Sequence, residues 1–334
     1  MAKVDLQKIL DRQQFKKLQK IGHPEWLAPM LAKLHHDQFS DPGWIYERKL
    51  DGERCLLFRH KQKVRLLTRN KKEINDIYPE LRDAAAGQDV DDFVADGEIV
   101  AFSGGTTSFA RLQKRMHLQN KEEVKKTGVA VYYYLFDLLY LDGYDLGNLP
   151  LRQRKKLLRK VIDWDDPLRF TPHRNGDGEK YYSEACAKGW EGIIAKEAAS
   201  RYVHSRSGKW LKFKCSRRQE FVIGGYTDPK GSRKGFGALL LGYYDDDRLC
   251  YAGKVGAGFD DAFLQEFGSR LENIGRKQPP FSEPVSSSGG VNWVKPWYVG
   301  EVAFTEWTEE GRLRHPRFLG LRDDKKAENV IREA

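Results

Sequence analysis

A chain of 334 residues, 40% of them apolar and 12% aromatic, is long enough for two packed domains or one large one. Its 58 lysines and arginines against 48 aspartates and glutamates leave a formal charge of +10, which suits a polyanionic partner, because each cation that meets a phosphate releases a condensed counterion. No run approaches the ~20 apolar residues that a membrane-spanning helix needs, and the polar N-terminus has no apolar signal core, so a membrane protein is set aside and a cytoplasmic one is expected.

Leu6, Ile9, Leu10 and Leu18 recur at near-helical spacing and predict one amphipathic helix over the first twenty residues. From residue 44 the texture changes. "WIYERKL", "CLLFRH", "KVRLLTR", "DFVADGEIVAF", "VAVYYYLFDLLYL" and "GIIAK" read as strands, separated by turn-like or charged segments. Helical patterns fall between them near 76–86, 107–118, 150–162 and 180–188, the third opening with Pro150 in its first turn. Mixed strands and helices to about residue 214 predict an α+β domain. Beyond "WLKFK", alternating strands with glycine or aspartate turns predict a small β-barrel, with "DDAFLQEFGSRLENI" as an inserted helix and "QPPFSEPVSSSGG" as a surface loop. The expected domains are 1–216 and 217–334, with a hinge near 215–219. Cys55, Cys186, Cys215 and Cys250 lack the short spacing of a cysteine zinc site and read as free thiols in a reducing compartment.

The stretch "IYERKLDGERC" places Lys49 between apolar residues, with Asp51, Gly52 and Arg54 close behind. Alone, this pattern is met by any solvated strand lysine. Its company is more specific: "LTRN" (67–70), "DGEIV" (96–100), "YLFDLL" (134–139), "EGIIAK" (191–196), "WLKFK" (210–214) and "RDDK" (322–325) follow in order. A lysine attacks phosphorus only as a neutral amine, so its pKa must fall from ~10.4 towards neutrality. Apolar flanks, neighbouring cations such as Lys212 and Lys214, and a divalent metal are the expected means. Lys212 and Lys214 are two apart on a strand, so they share a face and match the charge of a triphosphate. Glu98 and Glu191 are carboxylates suited to magnesium or manganese.

This ordered series resembles the nucleotidyltransferase motifs of the ATP-dependent DNA ligases. The C-terminal "EVAFTEWTEEGRLRHPRFLGLRDDK" is most like the bacterial ligases of the non-homologous end-joining type. The resemblance spans about residues 26–326. It implies an adenylation domain of antiparallel sheets with flanking helices, followed by an all-β OB-fold. By the same resemblance Lys49 is the nucleophile that becomes AMP-lysine, supported by Asp51, Lys212 and Lys214. Phe136 and Ile194 sandwich the adenine, with Glu47 as a further contact. Arg54, Arg69, Glu98 and Arg206 contact the nucleotide or the DNA 5′-phosphate, with Arg201 left open as a rival to Arg206. Glu98 and Glu191 are the expected metal ligands. Arg322, Asp324 and Lys325 belong to the OB-fold that closes over ATP, which makes Lys325 a first-step residue.

ATP is expected rather than NAD, because only forty-odd residues precede Lys49 and no cysteine cluster is present. A bare, monomeric catalytic core is expected to grip nicked or broken duplex DNA, with any DNA-end-binding protein, polymerase or nuclease on separate chains. An RNA ligase or capping-type nucleotidyltransferase shares the chemistry and stays open as an alternative. A basic nucleic-acid-binding protein with an inactive pocket is the alternative from a different class.

Overall fold

The computed structural model describes residues 4–333 apart from 117, 119, 120, 216, 217, 230, 232 and 286–289. Two compact units form, Met1–Cys215 and Ser216–Ala334. The expected hinge includes residues 216 and 217, and the expected proline–serine loop includes 286–289, all outside the described residues.

Six strands of the first unit carry the site: β1 (Trp44–Arg48), β2 (Glu53–His60), β3 (Asp92–Ser103), β4 (Val131–Leu141), β5 (Gly192–Glu197) and β6 (Arg206–Lys214). In the larger sheet, β4, β3 and β2 lie side by side and antiparallel, with Lys63–Thr68 beyond β2. The smaller sheet runs His173–Asn175, β1, β5, β6 and Leu31–Leu34. Pairing is antiparallel except where Leu168–Phe170 joins β4 and Leu31–Leu34 joins β6.

The two sheets share a core in which Leu56, Phe58, Val94 and Phe136 of the larger meet Ile45 and Trp210 of the smaller. Helices cover the other face of the larger sheet through Tyr78, Leu81, Leu112, Leu157 and Leu158. β2 is therefore covered on both faces, which is why "CLLF" at its centre is an unbroken apolar run. On the smaller sheet, alternation sends Ile45 inward and Tyr46, Ile193 and Phe213 outward against Tyr181 and Ala185 of the helix Gly178–Ala187.

The helices expected in this unit occur as Pro79–Ala86, Phe109–Met116, Leu151–Val161 and Gly178–Ala187. The N-terminal expectation fails. In place of one helix there are two single turns, Leu6–Ile9 and Arg12–Phe15. Asp11 is the reason, since its carboxylate accepts the Gln14 N–H at 2.8 Å and restarts the helix with a capping box. The four-thiol expectation also fails, because Cys186 and Cys215 form a disulfide and only Cys55 and Cys250 are free. The fold brings the end of Gly178–Ala187 beside the end of β6, leaving the two Cα atoms 5.2 Å apart across 29 residues of sequence.

In the second unit, Arg218–Thr227 is shared by two strand groups. It pairs with Leu239–Asp245 and Val291–Val294, and also with Val299–Ala303, which pairs with Arg317–Leu321. The inserted helix is Asp261–Glu272, capped by Asp260 and packed through Leu264, Phe267 and Leu271. Among the described residues no helix is long and apolar enough to cross a membrane.

Candidate active site

Register assembles the site on the inner face of the smaller sheet. Glu47 stands opposite Ile194, and Ile194 opposite Lys212, so these three form one row across β1, β5 and β6. One step along, the Lys49 N–H donates to the Gly192 carbonyl at 2.9 Å, and Gly192 faces Lys214. Gly192 has φ +148°, and a Cβ there would lie 1.9 Å from the Phe213 carbonyl oxygen. Only glycine allows β5 and β6 to approach this closely beside the lysines.

The larger sheet supplies the opposing groups. Arg54 stands beside Glu98, and Glu98 beside Tyr134. The Arg54 guanidinium donates twice to Asp96, at 2.6 Å each, and once to the Met30 carbonyl at 3.2 Å, while its plane lies 4.6 Å from the Phe136 ring. Asp96 also accepts the Tyr202 hydroxyl at 2.6 Å. Arg54 is thus a fixed fork whose orientation three elements decide. Gly52 passes so close to β3 that a Cβ would sit 2.1 Å from the Ile99 carbonyl oxygen. That close passage carries the chain from Lys49 to Arg54.

Lys49 donates to Glu191 at 2.6 Å. Burial disfavours its ammonium, but the charge and hydrogen bond of Glu191, with Glu98 and Asp51 adding, outweigh burial and hold the amine above the ordinary lysine range. The expected depression is therefore not what these neighbours produce. The charges that dominate around Lys49 here are carboxylates, not lysines. Asp51 also accepts the Phe109 N–H at 3.4 Å and so ties the start of Phe109–Met116 to the Lys49 loop. Glu98 lies within β3 rather than at a strand end, and Glu191 immediately precedes β5. Both are oxygen donors facing Lys49, a donor set that fits a hard divalent cation.

Glu47 is buried, and its two oxygens meet Lys155 at 2.5 Å and Lys196 at 2.6 Å. Burial raises its pKa, but the two lysines more than offset this and hold the carboxyl below its usual range. Lys155 reaches in from Leu151–Val161 and also donates to the carbonyls of Thr171 and Phe136. Lys196 lies 4.0 Å from the Phe136 ring centre and 4.1 Å from that of Trp210. Phe136 is itself a core residue of the space between the sheets. Our reading of the sequence missed Lys155, Lys196, Asp96 and Tyr202. Strand alternation could have found Lys196, two residues after Ile194. Lys155 carries no such signal, since helix and sheet meet there only in the fold.

Burial is the largest influence on Lys196 and lowers its pKa to about 8, against the attraction of Glu47. Between about pH 8 and the ordinary value of 10.5, the unfolded chain holds more protons at this side chain than the folded one. Its contribution to stability therefore rises with pH across that window. Urea unfolding from pH 8 to 10 is expected to show this slope, and Lys196→Met is expected to flatten it. An unchanged slope in the variant would place the titration elsewhere.

Arg69 follows Lys63–Thr68 in a turn, and Arg206 opens β6, exposed, with its guanidinium donating to the Ala32 carbonyl at 2.8 Å. Arg201 is exposed in the segment before β6. In the second unit Arg322 is half-buried and donates twice to Asp324 at 2.8 Å, with Glu301 at 3.3 Å. Burial alone would raise the Asp324 pKa, yet Arg322 holds it below the usual carboxylate range. Lys325 meets Glu220 at 3.2 Å.

A strand-end lysine facing carboxylates, with two further lysines in register beside it and a separate β-rich unit later in the chain, fits a nucleotidyltransferase followed by an OB-fold. The family model described as "ATP dependent DNA ligase domain" matches residues 29–214, and "ATP dependent DNA ligase C terminal region" matches 232–325. The chain belongs to the ATP-dependent DNA ligases. It is 41% identical over 318 residues to the multifunctional non-homologous end joining protein LigD of Pseudomonas aeruginosa, covering 93% of this chain and 37% of that protein. It is 36% identical over 325 residues to the corresponding LigD of Mycobacterium tuberculosis, covering 94% and 41%. The solved structure of mycobacterial DNA ligase D complexed with ATP and MES aligns at a TM-score of 0.67 with 34% identity, over 92% of this chain and 98% of that one. The chain thus spans about two fifths of the length of these curated relatives.

Proposed function

We propose that this chain seals breaks in duplex DNA in three displacements, as the ligase part of a non-homologous end-joining system. Lys49 attacks the α-phosphate of ATP and expels pyrophosphate, leaving a lysyl–AMP phosphoramidate. AMP then passes to a DNA 5′-phosphate, releasing the lysine. The 3′-hydroxyl attacks that activated phosphate, AMP departs, and a phosphodiester forms. The reading rests on the register that puts Lys49, Lys212 and Lys214 on one face opposite Glu98. Similarity to two LigD proteins supports the end-joining role.

Position supports each role. Lys212 and Lys214 neutralise phosphate charge. Phe136 and Ile194 offer apolar faces to the adenine, and the Glu47–Lys155–Lys196 group lines its polar side. Arg54, held by Asp96, and Arg69 and Arg206 take sugar and phosphate oxygens. Glu98 and Glu191 would hold magnesium or manganese, which supplies positive charge to the phosphates. Glu191 cannot give the same oxygen to the Lys49 ammonium and to a metal. When it is engaged elsewhere, the strongest hold on the Lys49 proton is withdrawn, and burial favours the neutral amine. Arg322 and Asp324 bind each other, so their part is to hold the turn that presents Lys325.

Incubation with α-labelled ATP tests the first displacement, because the label must stay on the protein. Nicked DNA sealed with ATP but not GTP, and nicked RNA left open, separates this activity from RNA ligases and capping enzymes. Lys325→Ala is expected to slow self-adenylation by about 10²–10³-fold, the scale of one lost transition-state donor. Sealing of pre-adenylated nicks should persist. The reverse pattern would assign Lys325 to the later steps.

A further inference from the structure

At the far ends of β2 and β3 from the lysine site lies a second cluster of ligand-type side chains. His60 ends β2, and Asp92, its register partner, begins β3. Six residues separate them from Arg54 and Glu98, about 20 Å at the ~3.3 Å rise of a strand. His23 comes from the segment between the strands Gln19–Lys20 and Leu31–Leu34. Both histidines aim Nδ1 at the same oxygen, His23 at 2.8 Å and His60 at 3.0 Å from Asp92 Oδ1. The three ligand atoms all lie within 4.8 Å of one another.

We infer that His23, His60 and Asp92 form a site for a divalent transition-metal ion of the zinc type, separate from the catalytic carboxylates. Ligand atoms at about 2.0 Å around a tetrahedral ion lie about 3.3 Å apart. To accept one, the separations from Asp92 Oδ1 need to open by up to about 0.5 Å, and the two histidine nitrogens, within 4.8 Å of each other, to close by up to about 1.5 Å, within reach of a ring rotation. Two imidazole nitrogens and one carboxylate oxygen are a ligand set for zinc, with water completing the shell. The outer contacts fit as well. The Tyr140 hydroxyl donates to Asp92 Oδ2 at 3.0 Å and orients the carboxylate. Tyr140 and Phe58 pack edge-on against the His23 ring, while His60 is about half exposed and leaves an entry path. Arg65 opposes a cation here, but Glu25 sits 3.3 Å from its guanidinium.

The ion would act as a staple. It would fasten His23 to the larger sheet, and with it a segment whose Ile21, Trp26 and Leu27 pack on the core between the sheets. That segment ends at Met30, whose carbonyl accepts Arg54.

Equilibrium dialysis of the full chain against zinc, with excess magnesium to saturate the catalytic carboxylates, is the test. The unaltered chain should retain one equivalent and show a higher thermal midpoint than after chelation. His60→Ala, an exposed change, and His23→Gln should each lose that equivalent while still self-adenylating, and Cys250→Ser should keep it. Cobalt in place of zinc should give the visible absorption of a four- or five-coordinate ion, absent in His60→Ala. An unaltered chain that dialyses free of zinc overturns the inference. So does zinc retained by the double variant His23→Gln/His60→Ala, or lost from Cys250→Ser.

Discussion

Lys49→Ala is expected to lower self-adenylation by about 10⁵-fold or more, the scale on which removing a covalent nucleophile acts. No neighbour is expected to replace it, since Lys212 and Lys214 lie on a different strand, β6. Label retained on the variant after incubation with ATP would mean that another side chain is the nucleophile. The pH dependence has a definite sign. Glu191, with Glu98 and Asp51, overcomes burial and holds the amine above the ordinary lysine range. The reactive neutral form is therefore scarce at neutral pH. The single-turnover rate of adenylation should rise about tenfold per pH unit on the acidic limb. In the metal-free protein, Glu191→Gln should bring the Lys49 pKa down, read from the pH dependence of its modification by an amine-selective reagent. An unmoved pKa would remove Glu191 as the group that stores the proton.

Glu47→Gln is expected to cost about 3 kcal/mol of stability, near the low end of the range for breaking a buried ion pair. Two ammonium groups lose the carboxylate that both meet. The loss is limited because Lys196, with its pKa already at about 8, can shed its proton, and Lys155 keeps the Thr171 carbonyl at 3.1 Å. Urea unfolding should show a lower midpoint with an unchanged slope. Adding Lys155→Met should recover part of the loss, because an apolar side chain leaves no unpaired buried charge. A Glu47→Gln chain within about 1 kcal/mol of the unaltered one would mean that the buried trio is not a stabilising unit.

The family was legible without the fold. The order from "KLDGER" to "RDDK" carried the family, and period-two alternation put Lys212 and Lys214 on one face before any strand was placed. Segment textures located the major helices and strands, because burial on one or two faces writes itself into apolar spacing. The N-terminus misled for a local reason. Its apolar spacing was helical, but Asp11 had the better claim as a cap.

By itself, then, the sequence determined the family and which side chains share a strand face, and it singled out the proposed nucleophile, since these depend on residue order and local period. Only the tertiary structure decided that Lys155 and Lys196 share Glu47, that Asp96 fixes Arg54, that Cys186 meets Cys215, and that His23 joins His60 over Asp92. Each of those meetings joins residues far apart in the chain. Pairing register and sheet packing set their distances, and no local spacing encodes them.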